Sequence, residues 1–299
     1  RSIPGATVVH IGFDEEGMLD LAELETLLRA YNVQGEHGAQ RIQLVAASGA
    51  SNVLGTCNDI GAIARLAHQY GAQVLVDAAQ LVAHRPVTTE AWDIDYLVFS
   101  AHKVYAPFGT GVLVARKGLL TFDLAEWAPI RASGEENVGG IAGLAKALLL
   151  LERIGMDVVQ AEEQALTAQA LRGLAQIPGL TVYGVTDPDA PTFAHKGGVI
   201  PFNLGNNLST TVGAALAEQA GIGIRCGCHC AHLTVKRMLH IPPMLERFQR
   251  VIVTVFPKLS LPGVARVTLG IENTPEDVDV LLATLSELAQ AKKIVAGKD

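Results

Sequence analysis

The sequence predicts an α/β protein, with a mostly parallel sheet and helices in its first part and a smaller α+β region after it. Three observations carry this. Short runs of Val, Ile and Leu alternate with amphipathic stretches between residues 7 and 76, as parallel strands joined by helices require. The pattern changes beyond residue 160, which sets an expected division into 1–160 and 161–299. Finally, the 299 residues are 49% apolar and 18% charged, a composition that buries a core in one or two domains.

In chain order, Thr7 to Phe13 reads as a strand, Leu19 to Ala30 as a helix and Ile42 to Ala47 as a strand. Ile60 to Tyr70 has helical spacing, and Gln73 to Val76 is again β-like. The runs Tyr96 to Phe99 and Gly111 to Ala115 flank a polar turn, so Ser100 to Gly109 falls at strand ends, the edge that carries ligands in open α/β sheets. Apolar residues then recur at helical spacing over Asn137 to Ile154 and Asp157 to Gln176, with Gly155 as the break. Leu180 to Tyr183, Gly198 to Asn203, Ile222 to Arg225 and Ala265 to Leu269 read as strands, and Thr211 to Ala220 and Pro275 to Gln290 as helices. Thr186 to Lys196, with its Pro and Asp residues, reads as an exposed loop.

A net charge of −7 without a Lys/Arg cluster argues against a nucleic-acid partner. Mean hydropathy is +0.29, yet no apolar run approaches the about 18 residues that span a bilayer. Four cysteines are too few for a disulfide framework. A soluble protein of a reducing, cytoplasmic compartment is expected, with neither signal nor transit peptide visible.

Chemistry concentrates first in V-L-V-D-A-A-Q, which ends in Asp77 and Gln80, and in F-S-A-H-K, which holds Ser100, His102 and Lys103. Taken singly, an Asp closing a strand is an ordinary turn or cap residue and a lone Lys is usually solvated. Together they are the groups that pyridoxal phosphate needs. A lysine forms its Schiff base, and a carboxylate keeps the pyridine nitrogen protonated so that the ring withdraws electrons.

The segments Ser51 to Thr56, Val74 to Gln80, Phe99 to Leu113, Gly223 to Ala231 and Arg266 to Thr274 resemble, in order, those of the class V aminotransferases. These are pyridoxal phosphate enzymes of fold type I, and the nearest branch is similar to the cysteine desulfurases and selenocysteine lyases. The resemblance implies Lys103 as the Schiff-base lysine and proton carrier, with Asp77 on the ring nitrogen and Gln80 on the ring hydroxyl. It implies Ser100 and His102 as donors to the cofactor phosphate, and Asn52 and Arg266 as the grip on the substrate carboxylate, Arg266 as a bidentate fork. It also implies a homodimer acting on a small amino acid, with a sulfur-acceptor protein as a further partner.

A second constellation is Arg225-Cys226-Gly227-Cys228-His229-Cys230-Ala231-His232. Alternating cysteines lack the spacing and distant second half of a zinc site. The resemblance makes Cys230 the sulfur acceptor, whose thiolate takes the sulfur of a bound cysteine as a persulfide and leaves alanine. Two readings stand beside this one. An aminotransferase, epimerase or other lyase of the same fold would leave Cys230 incidental, and a non-catalytic scaffold would hold metal through Cys226, Cys228, Cys230 and His229.

Two departures from the family pattern are visible. The chain is expected to lack the family's amino-terminal part, which contributes a phosphate-binding turn and a residue stacked on the ring. Glu135 and Glu136 replace the Thr and Pro of the desulfurases' G-T-P-N, and are read as favouring the start of the following helix through its dipole. Tyr105-Ala106-Pro107-Phe108-Gly109 also departs from the family's Tyr-Gly-Pro.

Overall fold

A computed structural model describes residues 5–107, 109–132, 134, 136–240 and 263–291. The chain divides into two compact units: Arg1–Ala50 with Asn58–Arg153, and Ser51–Cys57 with Ile154–Asp299. The second unit thus takes a seven-residue loop from the middle of the first.

In the first unit α1 (Leu21–Asn32) starts at Asp20, whose side chain accepts from Glu23 N–H, and α2 (Ile60–Gln69) starts at Asp59, which accepts from Ala62 N–H. Each cap satisfies one of the amides that a helix start leaves open. The described strands β1 (Leu44–Ser48), β2 (Gln73–Asp77), β3 (Tyr96–Ser100) and β4 (Gly111–Ala115) pair in that order. β1, β2 and β3 are parallel and β4 is antiparallel to β3. Val45, Ala47, Val74, Val76 and Leu97 are buried, and α2 contributes Ile60, Ile63, Ala64 and Ala67. Alternate residues of β1 and β2 therefore face the core, as the strand period of two requires.

Two helices follow, α3 (Leu124–Ala132) and α4 (Val138–Ile154). Asn137 starts α4 by accepting from Gly140 N–H at 2.9 Å. Glu136 lies just before it, and Glu135 lies outside the described residues, as does Phe108.

The second unit opens with α5 (Met156–Leu174), preceded by Gly155 at φ 92°, a left-handed backbone suited to glycine. Strands β5 (Leu180–Val182), β6 (Val199–Leu204), β7 (Arg225–Gly227) and β8 (Val264–Thr268) form an antiparallel sheet in the order β5-β6-β8-β7. Helices α6 (Ser209–Ala220) and α8 (Pro275–Gln290) cover it together with α5, burying Leu171, Phe202, Leu216, Ala265 and Leu285 in one cluster. A short α7 spans His232–Met238. None of the described helices is long and apolar enough to cross a membrane.

Three expectations are corrected. Thr7 to Phe13 is not a strand. It makes a single bridge, Phe13 to Leu19, with Val8 and Val9 exposed, and β propensity without a ladder partner yields no strand. The strand expected at Ile222 to Arg225 lies instead at Arg225–Gly227, where β8 supplies the register Arg225 to Arg266 and Gly227 to Val264. The expected exposed loop at Thr186 to Lys196 contains a 3-10 turn, Pro191–His195, and ends in a lysine that is 0% exposed.

Candidate active site

In the first unit the candidate residues gather at the carboxyl ends of β2 and β3. The parallel register pairs Asp77 with Val98 and leaves Ser100 at the end of β3. One 3-10 turn, Ala101–Lys103, follows directly. Ala101, Val104 and Ala106 are buried under it, and Ala101 O accepts from both Val104 N–H and Ala106 N–H. These apolar anchors leave Lys103 half-buried and His102 exposed at the sheet edge. Tyr105 completes the turn at φ 60°.

Asp77 Oδ1 accepts from Ala79 N–H at 2.9 Å, which fixes the carboxylate as the chain leaves the strand. Gln80 follows on a short turned segment, with its Nε2 3.2 Å from His84 Nε2. Asp77, Gln80, Ser100, His102 and Lys103 thus stand on one edge of one sheet.

In the second unit Asn52, Arg266 and the Cys230 turn form a bonded set. Arg266 Nη1 donates to Asn52 O at 2.6 Å, and Asn52 Nδ2 donates to His229 O at 2.8 Å. The ring of His229 reaches Val264 O at 3.1 Å through Nε2. Ala231 N–H closes the turn on Cys228 O at 2.8 Å. Both central residues are left-handed, His229 at φ 51° and Cys230 at φ 58°, the backbone of a type I′ turn that ordinarily selects Asn and Gly. Such positions cost about 1–3 kcal/mol each for other residues. Hydrogen bonds at the carbonyl and ring of His229 offset that strain.

The three clustered cysteines have different surroundings. Cys226 Sγ donates to Ser209 O at 3.0 Å, and burial pushes its thiol up. Cys228 packs against the small cluster of Val53, Val235 and Val264, and burial pushes it up as well. Cys230 is exposed on the turn. His229 is held below the usual histidine range, chiefly by burial. Arg266 is lowered by burial and then by the like charge of Arg225, and its buried Nε has no hydrogen-bond partner among the described residues.

His229 escaped sequence reasoning as a structural residue, although it stands within the cysteine motif. Its part follows from the register that sets Gly227 opposite Val264, which only the fold supplies. Lys196 and Glu163, both buried in the second unit, gave no sequence signal at all.

A family description, aminotransferase class-V, matches residues 2–281. A cysteine desulfurase of Klebsiella pneumoniae is 39% identical over 268 residues, covering 83% of this chain and 59% of that protein. One from Escherichia coli is 35% identical over 304 residues, covering 95% of this chain and 65% of its own length. Among solved structures, the apo cysteine desulfurase from Thermococcus onnurineus NA1 superposes with a TM-score of 0.74 at 26% identity, over 94% of this chain and 65% of that one. The chain therefore spans less than two thirds of the length of these relatives.

Proposed function

The chain belongs to the class-V aminotransferase family, and from that premise we propose that it carries out pyridoxal phosphate-dependent removal of sulfur from cysteine, with Cys230 as acceptor. The observation that carries this reading is the contrast among the three cysteines. Cys226 and Cys228 are raised by burial, and Cys230 is exposed on a strained turn tied to Asn52 and, through it, to Arg266.

The side chains at the ends of β2 and β3 fit the cofactor by their chemistry: an amine, a carboxylate, a hydroxyl, an imidazole and an amide on one sheet edge. Lys103 would hold it covalently, Asp77 would pair with the ring nitrogen, Gln80 would meet the ring hydroxyl, and Ser100 and His102 would donate to the phosphate. When bound, the cofactor supplies an electron sink for the charge released at the α-carbon of the amino acid.

Arg266 binds the substrate carboxylate as a charged fork, with Asn52 beside it. Lys103 would take the proton from the α-carbon of the substrate and return a proton to carbon as alanine forms. The Cys230 thiolate forms the new S–S bond as the C–S bond of cysteine breaks, and the proton returns to carbon. Cysteine and the Cys230 thiol thus become alanine and the Cys230 persulfide, with atoms and electrons balanced.

A homodimer and a sulfur-acceptor protein belong to the same reading. A partner surface is supported by the apolar residues Val138, Ile141, Leu148 and Leu149, all exposed on α4. The test is sulfide release from L-cysteine in the presence of a thiol reductant. Cys230→Ala is expected to abolish it while cofactor binding persists, and undiminished release by that variant would refute the assignment.

A further inference from the structure

Lys196 is among the largest side chains of the described residues that are fully buried. Its Nζ donates to Leu54 O at 2.6 Å and to Val199 O at 2.7 Å. One acceptor lies on the loop Ser51–Cys57 and the other begins β6, so a single ammonium spans both.

The backbone repeats this attachment. Thr56 and Lys196 form a bridge, Cys57 N–H donates to His195 O at 2.7 Å, and Gly197 N–H donates to Gly55 O at 2.8 Å. The loop is also closed on itself, since Ser51 N–H donates to Thr56 O and Ser51 Oγ accepts from Leu54 N–H at 3.1 Å. It is therefore one hydrogen-bonded piece, with Lys196 at Leu54 and Asn52 two residues away on the Cys230 turn.

We propose that Lys196 is a positioning residue, holding the Ser51–Cys57 loop on β6 and so setting where Asn52 meets Arg266 and the Cys230 turn. This rests on the reading of Asn52 and Arg266 as the grip on the substrate carboxylate. Lys196 itself touches neither substrate nor cofactor.

The charged surroundings fit a poised ammonium. Burial pulls Lys196 down to about 7, and the neighbouring Cys57 and Glu163 act to raise it. Glu163 comes from α5, is itself buried, and lies against Gly198, where an added Cβ would stand 3.0 Å from its Oε2. Loss of the proton leaves two N–H donors, one for each carbonyl, and removes the charge that burial disfavours. An arginine would stay charged throughout.

Amide exchange of residues 51–57 tests this without cofactor or substrate, with KM and kcat for L-cysteine measured in parallel. Lys196→Met is expected to speed exchange in the loop about tenfold or more, leave α8 as protected as in the parent, and raise KM about tenfold with kcat changed far less. Above about pH 7 the parent loop is expected to gain protection, relative to the intrinsic rise in exchange, because burial favours the neutral lysine, and Lys196→Arg, which stays charged, is expected to show no such gain.

An unchanged loop in Lys196→Met overturns the proposal, and so does exchange that rises equally in α8, which would make Lys196 a residue of the fold at large. If Lys196→Met does not fold, identical pH profiles for the parent and Lys196→Arg overturn it alone. A loop that loosens as expected in Lys196→Met, beside a parent that releases no sulfide, would refute the desulfurase reading and leave the positioning of Asn52 standing.

Discussion

Arg225 and Arg266 stand directly opposite each other on the antiparallel strands β7 and β8. Like charges in that register destabilise a sheet, and here they face each other beside the bonds that join Arg266 to Asn52 and Asn52 to the Cys230 turn. Burial first, and then the proximity of Arg225, weaken the hold of Arg266 on its proton. Such a pair is suited to receive an anion, because a carboxylate arriving at the guanidinium turns mutual repulsion into attraction.

Arg225→Gln is accordingly expected to stabilise the ligand-free protein by about 0.2–1 kcal/mol and to raise KM for the amino acid. Urea unfolding reads the first effect and initial rates read the second. Destabilisation would mean that Arg225 makes a favourable contact that outweighs the repulsion.

Gly55 ties the loop to β6 by close approach. Its φ is +71°, and an added Cβ would lie 2.5 Å from Val199 O. Gly55→Ala is therefore expected to cost more than about 2 kcal/mol, combining left-handed strain with overpacking. Gly71, at φ +74° with nothing near its missing Cβ, isolates the strain. Gly71→Ala should cost about 1–2 kcal/mol, and equal losses for the two variants would deny the close approach any part.

The buried ammonium gives a pH dependence of defined sign. Lys196 is lowered from its ordinary 10.5 to about 7 by burial, so between those values the unfolded chain binds a proton that the folded chain does not. Stability then rises with pH across that window, by at most about 1.4 kcal/mol per pH unit from this group. Below about pH 7 both states are protonated and the contribution is flat. The stability difference between parent and Lys196→Met, followed by urea unfolding, should shift in favour of the parent as pH rises from about 7 to 9. A constant difference would mean that Lys196 keeps an ordinary proton affinity.

Much of this was legible in the sequence, for reasons that differ by element. The helix expected at Pro275 to Gln290 is found with those bounds, because Thr274 and Asp277 form a reciprocal capping box and Pro275 takes the first turn. Gly155 announced the break between α4 and α5 by its backbone freedom. α3 gave no signal, since it contains Pro129 and residues 124–129, all exposed, impose no helical period. The strand at Arg225–Gly227 exists through its pairing with β8, a long-range contact that no local pattern encodes.

The candidate site divides along the same line. Lys103, Asp77 and Ser100 were visible as chemistry at strand ends, because apolar runs mark where strands stop. The roles of His229 and Lys196 were not visible, since each depends on carbonyls distant in sequence, Val264 O for one and Leu54 O for the other.

For the cofactor edge, the parent with added pyridoxal phosphate is expected to show the visible absorption of the cofactor joined to a lysine, and Lys103→Ala to lack it. Asp77→Asn should keep the cofactor and lose most activity, because the ring nitrogen would no longer be held protonated. Visible absorption that persists in Lys103→Ala would move the attachment to another lysine.

The most direct test of the desulfurase reading is to locate the sulfur itself. After incubation with pyridoxal phosphate and L-cysteine, mass spectrometry of alkylated peptides is expected to find one added sulfur atom on Cys230, none on Cys226 or Cys228, and none anywhere in Lys103→Ala. Sulfur on either of the other two cysteines, or alanine formed at the parent rate by Cys230→Ala, would contradict the account.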